Sequence, residues 1–206
     1  MKLPSNARPA CPRHALMRRR LTPACVGVAL ALGITFAGSP RAAYAFELQL
    51  ALGAGGAGSD WRGDGVAFGT IKAGVRGWDV IAPYFLTRLG YGSVDSRLLT
   101  MLSVGVQAWM RVGPLRPYVR AGFAHQHEEP VAYLEKNLLG AAFGVGDGIR
   151  HRAGADLGVG VDWPVQKWKR MELFLAVEAT TTWFTNSSGP SWFWGGSAAF
   201  GFNYML

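Results

Sequence analysis

Beyond residue 45, apolar and polar residues alternate with a period of two along most of this chain, most cleanly between Ile149 and Phe184. In a first arm, Ile149, His151, Ala153, Ala155, Leu157, Val159 and Val161 alternate with Arg150, Arg152, Gly154, Asp156, Gly158, Gly160 and Asp162. In a second, Met171, Leu173, Leu175, Val177, Ala179, Thr181 and Trp183 alternate with Arg170, Glu172, Phe174, Ala176, Glu178, Thr180 and Thr182. Every Asp, Glu, Lys or Arg of the two arms stands at an even number. Successive side chains of a strand point to opposite faces, so the charges share one face and the other is apolar. Trp163 to Lys169 reads as the turn between the arms, because Pro164 cannot continue a ladder.

The same pattern predicts further strands. Phe46, Leu48, Leu50 and Leu52 share one face of the first; Gly53 to Gly65 reads as an exposed, glycine-rich loop. Val66 to Arg76 sets Ala67, Gly69, Ile71, Ala73 and Val75 against Phe68, Thr70, Lys72 and Gly74. The third strand starts at Ile81, and Pro83 within it predicts a nearby bulge. A polar loop from Gly92 to Arg97 precedes the fourth, with Leu102, Val104, Val106, Ala108, Met110 and Val112 opposite Ser103, Gly105, Gln107, Trp109 and Arg111. Gly113 to Pro117 turns the chain into a fifth, with Val119, Ala121 and Phe123 opposite Tyr118, Arg120, Gly122 and Ala124. A long loop from about His127 to Gly148 is expected, with a turn of helix near Tyr133 to Leu139. The last strand, from Trp192, carries Trp194, Phe200, Phe202, Tyr204 and Leu206 on one face.

Eight such strands, with short turns after the second, fourth and sixth and longer loops after the odd-numbered ones, predict an all-β fold. It is a closed eight-stranded antiparallel transmembrane β-barrel, an up-and-down meander with short periplasmic turns and longer external loops. Closure satisfies the backbone groups that an open sheet would leave bare in lipid. The aromatic row of the last strand suits a membrane wall and would invite aggregation in water.

Composition changes the picture at the N-terminus. Residues 1–45 are expected to be a cleaved export signal: a basic start including Arg18-Arg19-Arg20, an apolar run from Cys25 to Ala37, and small residues at Ala43 and Ala45 before Phe46. That segment holds seven of the 21 Lys and Arg and none of the 13 Asp and Glu, so residues 46–206 carry 14 basic and 13 acidic groups. The positive balance is therefore no argument for nucleic acid as a partner. Cys11 and Cys25 are both in the signal, so no thiol chemistry or disulfide framework is expected in the domain of 46–206.

With its strand count and the terminus Phe200-x-Phe202-x-Tyr204-x-Leu206, the chain resembles the small eight-stranded outer-membrane β-barrels of Gram-negative bacteria, like the barrel domain of outer membrane protein A. The family usually ends in Phe, where this chain has Leu206. The resemblance implies insertion in the outer membrane, with Phe200, Phe202, Tyr204 and Leu206 as a C-terminal signal to the assembly machinery. It covers structural proteins, adhesins, conduits and a few lipid-modifying enzymes, and fold alone does not choose among them.

The inward-facing charges are the first candidates for function: Lys72, Arg88, Arg111, Arg120, Arg150, Arg152, Asp156, Asp162, Glu172 and Glu178. They suit a paired network filling a narrow barrel better than an ion path, since unpaired charges there would be costly. His125 and His127 share a strand face and could join Glu128, Glu129 or His151 in a metal or acid–base site; outward histidines at the membrane edge are the plainer expectation. Some lipid-A deacylases of similar size pair His with Ser on the outer wall, but here no serine follows the two histidines at close strand spacing and Ser103 is expected to face inward. The glycines of Gly53 to Gly58 lack the following helix of a phosphate-binding motif. Trp78, Trp163, Trp168, Trp183, Trp192 and Trp194 fit interfacial girdles. The expected protein is thus a monomer in contact with outer-membrane lipid, with no catalytic residue, cofactor or metal, and a structural or surface-interaction role. A narrow conduit for a small or apolar molecule is the alternative, and a lipid-modifying enzyme a more distant one.

Overall fold

The alternation of faces produces eight strands: β1 (Glu47–Ser59), β2 (Gly65–Arg76), β3 (Ile81–Gly92), β4 (Arg97–Trp109), β5 (Arg116–Pro130), β6 (Arg150–Lys167), β7 (Met171–Phe184) and β8 (Trp192–Met205). The computed structural model describes residues 46–77, 80–134, 149–185 and 189–206. The expected export signal of 1–45, with Ala43 and Ala45, lies outside them, as do Trp78 and most of the long loop after β5. Each strand pairs antiparallel with the next, and β1 closes on β8 from Glu47↔Met205 to Ser59↔Phe193. Both ends of the barrel domain and the connections after β2, β4 and β6 lie at one rim, here the turn end. The connections after β1, β3, β5 and β7 lie at the loop end.

The outer wall is predominantly apolar. Val104, Val106, Val119, Phe123, Leu157, Val159, Val177 and Phe200 are all exposed on it. Trp183, Trp192 and Trp194 ring it toward the loop end and Trp163, Trp168 and Phe46 toward the turn end, as interfacial aromatic girdles do. Water would not tolerate so large a patch; hydrocarbon requires it. The shortest strands, β2 and β3, have 12 residues, above the roughly 9–11 that cross a bilayer. Val177, 61% exposed at the middle of β7, tests the assignment. Val177→Arg is expected to cost about 2–4 kcal/mol in urea unfolding from lipid vesicles. A change within about 0.5 kcal/mol would place that face in water.

Several strands run farther than the sequence pattern predicts. Gly53 to Gly58 is the end of β1, not a loop; it pairs with β2 through Gly58↔Gly65 and with β8 through Gly58↔Trp194. Two of its glycines, Gly53 and Gly55, answer to crowding. A Cβ on Gly53 would lie 2.5 Å from the Ala198 carbonyl oxygen and 2.8 Å from the Ala199 Cβ, so the neighbouring backbone takes the space. β4 begins at Arg97 after a short 3-10 turn (Val94–Ser96), and β5 continues through His127 to Pro130 before a helical turn, α1 (Val131–Leu134).

The prolines also behave differently from expectation. No register shift accompanies Pro83, which pairs regularly with Val106. Its carbonyl faces Gly74, where the β2–β3 ladder ends at Gly74↔Tyr84. On that side its missing N–H forfeits no ladder bond. The shift falls instead between Pro164 and Gln166, and β6 passes through this bulge to Lys167 rather than turning at Trp163.

Candidate functional site

Even-numbered residues of β2, β3, β5, β7 and, up to the bulge after Pro164, β6, and odd-numbered residues of β1, β4 and β8 project into the barrel. Three polar strata result, with an apolar layer below the uppermost.

The middle stratum centres on Arg120, 2% exposed. Its Nε and Nη2 donate to the two carboxylate oxygens of Glu178, each at 2.8 Å. Its Nη1 donates to Asp156 and, at 3.1 Å, to the Tyr84 hydroxyl. Arg88 reaches Asp156 and Glu178 at 3.4 Å and donates to the Thr180 hydroxyl at 2.9 Å. Asp156 also accepts from Thr182 at 2.9 Å, and Glu178 from the Tyr118 hydroxyl at 3.0 Å. Two guanidinium groups and two carboxylates thus neutralise one another across the lumen, with hydroxyls taking up further bonds. Toward the turn end, Lys72 donates to Gln107 at 3.0 Å, and Trp109 Nε1 donates to Asp162 at 2.8 Å.

At the turn end, Arg116 forks onto Glu172, which also accepts from Asn203 at 3.1 Å, and Arg76 pairs with Glu47. These groups border an open vestibule of about 360 Å³ that Lys167 and Arg170 also line. At the loop end, Arg97 pairs with Asp64 and lies 3.6 Å from Glu128, which accepts from Arg152 at 2.6 Å and Gln126 at 2.7 Å. Arg152 also donates to the Pro190 carbonyl. Between this cap and the middle stratum lies the apolar cluster that includes Val66, Phe68, Leu99, Met101, Phe184 and Phe193.

Nine of the ten charges predicted to face inward belong to strand segments with inward parity. Arg150 is half-buried at the loop-end start of β6, opposite Glu128. Arg111 is the exception. It follows the last residue of β4 and is exposed at the rim of the vestibule, because the ladder ends at Trp109. Sequence reasoning missed Asp64, Arg97 and Glu128, having assigned all three to loops. Parity could have found two of them: Arg97 continues the inward series of Ser103 and Gln107, and Glu128 that of Arg120 and Ala124.

Among the described residues, the outer face carries a cluster of three histidines. His125 and His127 point outward on β5, and His151 stands across the ladder on β6 by the pair His127↔His151. The Nε2 atoms of His125 and His127 are 2.8 Å apart, and ring centroids are separated by 4.7 Å for His125–His127 and His127–His151. Their register neighbours are Leu102, Ala153 and Thr100, and Ser103 is fully buried inside the barrel.

No protein-family model matches the chain, and no curated protein sequence does. Solved structures do. Neisserial surface protein A superposes with a TM-score of 0.54 at 13% identity, over 78% of this chain and 97% of that one. The N-terminal β-barrel domain of OprF from Pseudomonas aeruginosa gives 0.47 at 17% identity, over 76% and 97%. OprG from the same organism gives 0.46 at 13%, over 79% and 97%. With the closure from β1 to β8, the first of these identifies the fold as that of the small eight-stranded outer-membrane β-barrels.

Proposed function

We propose that this protein is an outer-membrane barrel, exported with removal of residues 1–45, whose role is structural or surface-interactive rather than conductive or catalytic. The observation that carries this reading is the filled interior. Asp156, Ser103 and Gln107 are 0% exposed and Arg120 2%, so the lumen is closed around them at mid-barrel. The voids beside the network, about 40 and 20 Å³, have room for a water or two and none for a solute. Opening a path would require breaking charge-assisted bonds in a dry interior, where unpaired ions are costly.

In this reading the turn end faces the periplasm and the loop end the exterior, and the protein acts as a monomer in contact with outer-membrane lipid. The row Phe200, Phe202, Tyr204 and Leu206 on β8 serves as the signal to the assembly machinery. Surface contact falls to the loop end, whose described part is braced by Asp60 accepting from the backbone N–H groups of Ser191 and Trp192. A non-enzymatic role is supported by the absence of serine among the register neighbours of His125 and His127.

The test joins two measurements on protein extracted from outer-membrane fractions. Unboiled samples are expected to migrate differently from boiled ones in SDS, as a closed barrel should. The same preparation is expected to give no unitary conductance in planar bilayers. Steady conductance that changes in a folded Glu178→Gln variant would overturn the structural reading in favour of a gated conduit. Recovery as a soluble protein with no mobility shift would overturn the membrane reading itself.

A further inference from the structure

We propose that His125, His127 and His151 form a site for one divalent transition-metal ion, zinc or copper, on the outer face of the barrel. The residues come from two strands and converge. Positions 125 and 127 share the outward face of β5, and the register sets His151 directly across from His127. One ring nitrogen from each lies within 4.8 Å of the others. Imidazole nitrogens bind zinc at about 2.0–2.1 Å, so a tetrahedral ion holds its donors about 3.3–3.4 Å apart. With one nitrogen of each ring already within 4.8 Å of the others, ring rotations reach that value.

A second observation points the same way. Nδ1 of His127 is buried and has no hydrogen-bond partner, an unusual condition for a polar atom whose alternative is water. His125 offers its neighbour an Nε2 contact that satisfies one nitrogen of each ring. Ligation through Nδ1 of His127 would give that nitrogen a partner and leave its Nε2 bonded to His125. The donor set is all nitrogen, suiting zinc, copper or nickel over calcium or magnesium. Three protein ligands leave a fourth position open, and it faces outward because His151 is exposed. The ion would clip β5 to β6 near the base of the long loop that joins them.

The site is tested with untagged barrel folded in detergent, titrated by calorimetry with zinc chloride and separately with copper chloride. One ion per barrel is expected, removable by chelator. His125→Asn, His127→Asn and His151→Asn should each weaken binding by more than the roughly 10–100-fold that loss of a mere supporting partner costs. The SDS mobility shift of each variant shows that it has folded; should any fail, the Gln variant at that position replaces it. Zinc should also raise the urea midpoint of wild type, since a ligand bound only by the folded state stabilises it, and should leave that of the triple variant unmoved. Absence of saturable binding overturns the proposal. So does binding that survives all three substitutions, which would place the ion elsewhere.

Discussion

Arg120→Met is expected to lower the unfolding free energy of the barrel by about 3–5 kcal/mol, the usual consequence of removing one partner from a buried charge network. Methionine keeps much of the volume but none of the five donors. Asp156 and Glu178 would then share Arg88, 3.4 Å from each, and two buried carboxylates would face one guanidinium. Arg120→Lys should recover only part of the loss, because an ammonium cannot reproduce the fork that meets both oxygens of Glu178 at 2.8 Å. Adding Glu178→Gln to Arg120→Met should recover stability, since it removes the charge left unpaired. Urea unfolding from lipid vesicles, followed by gel mobility, measures all three. A loss below about 1 kcal/mol for Arg120→Met would mean that the network is as solvated as a surface ion pair. Mid-barrel would then be open to water, and a conducting barrel would be expected in place of a closed one.

Gly105→Leu is expected to prevent closure altogether, leaving no heat-modifiable form. Gly105 projects inward from β4 beside Gly122 of β5, with Tyr84 as its partner on β3. A Cβ at Gly105 would collide with the Ala121 carbonyl oxygen and stand 2.5 Å from the Gly122 Cα. The obstruction is backbone, which cannot rotate away as a side chain can. Gly122 is crowded in turn: a Cβ there would lie 2.5 Å from the Tyr84 hydroxyl, which accepts from Arg120. The paired glycines thus make the floor on which Tyr84 and Arg120 cross the lumen. Even Gly105→Ala should cost at least the ~1–3 kcal/mol of ordinary overpacking. Normal folding of the leucine variant would show that the β4–β5 wall is less closely drawn than this.

What was readable in advance follows the period of the strand. The alternation of β6 and β7 placed Asp156, Asp162, Glu172 and Glu178 inside, and all four are buried or nearly so. Strand ends were harder. Gly53 to Gly58 was mistaken for a loop because glycine without side-chain alternation carries no facing signal, and it is the approach of β8 that accounts for Gly53 and Gly55. The same misjudged ends hid Arg97 and Glu128, whose positions acquire a parity only once the strands are known to reach them. Arg111 failed in the opposite sense: its parity was right, but the ladder stopped at Trp109 before that parity could act.

By itself, then, the sequence determined which face each strand residue takes and that the barrel turns its apolar side outward. A two-residue period sorts side chains between two solvents without reference to any other strand. Partnership was decided only by the tertiary structure. Sliding a strand by two residues preserves every inward and outward assignment while changing every neighbour. The meeting of Arg120 with Glu178, 58 residues away, depends on the register of closure, as does the facing of His127 and His151. That register is selected by contacts formed all around the barrel at once, and no single strand contains it.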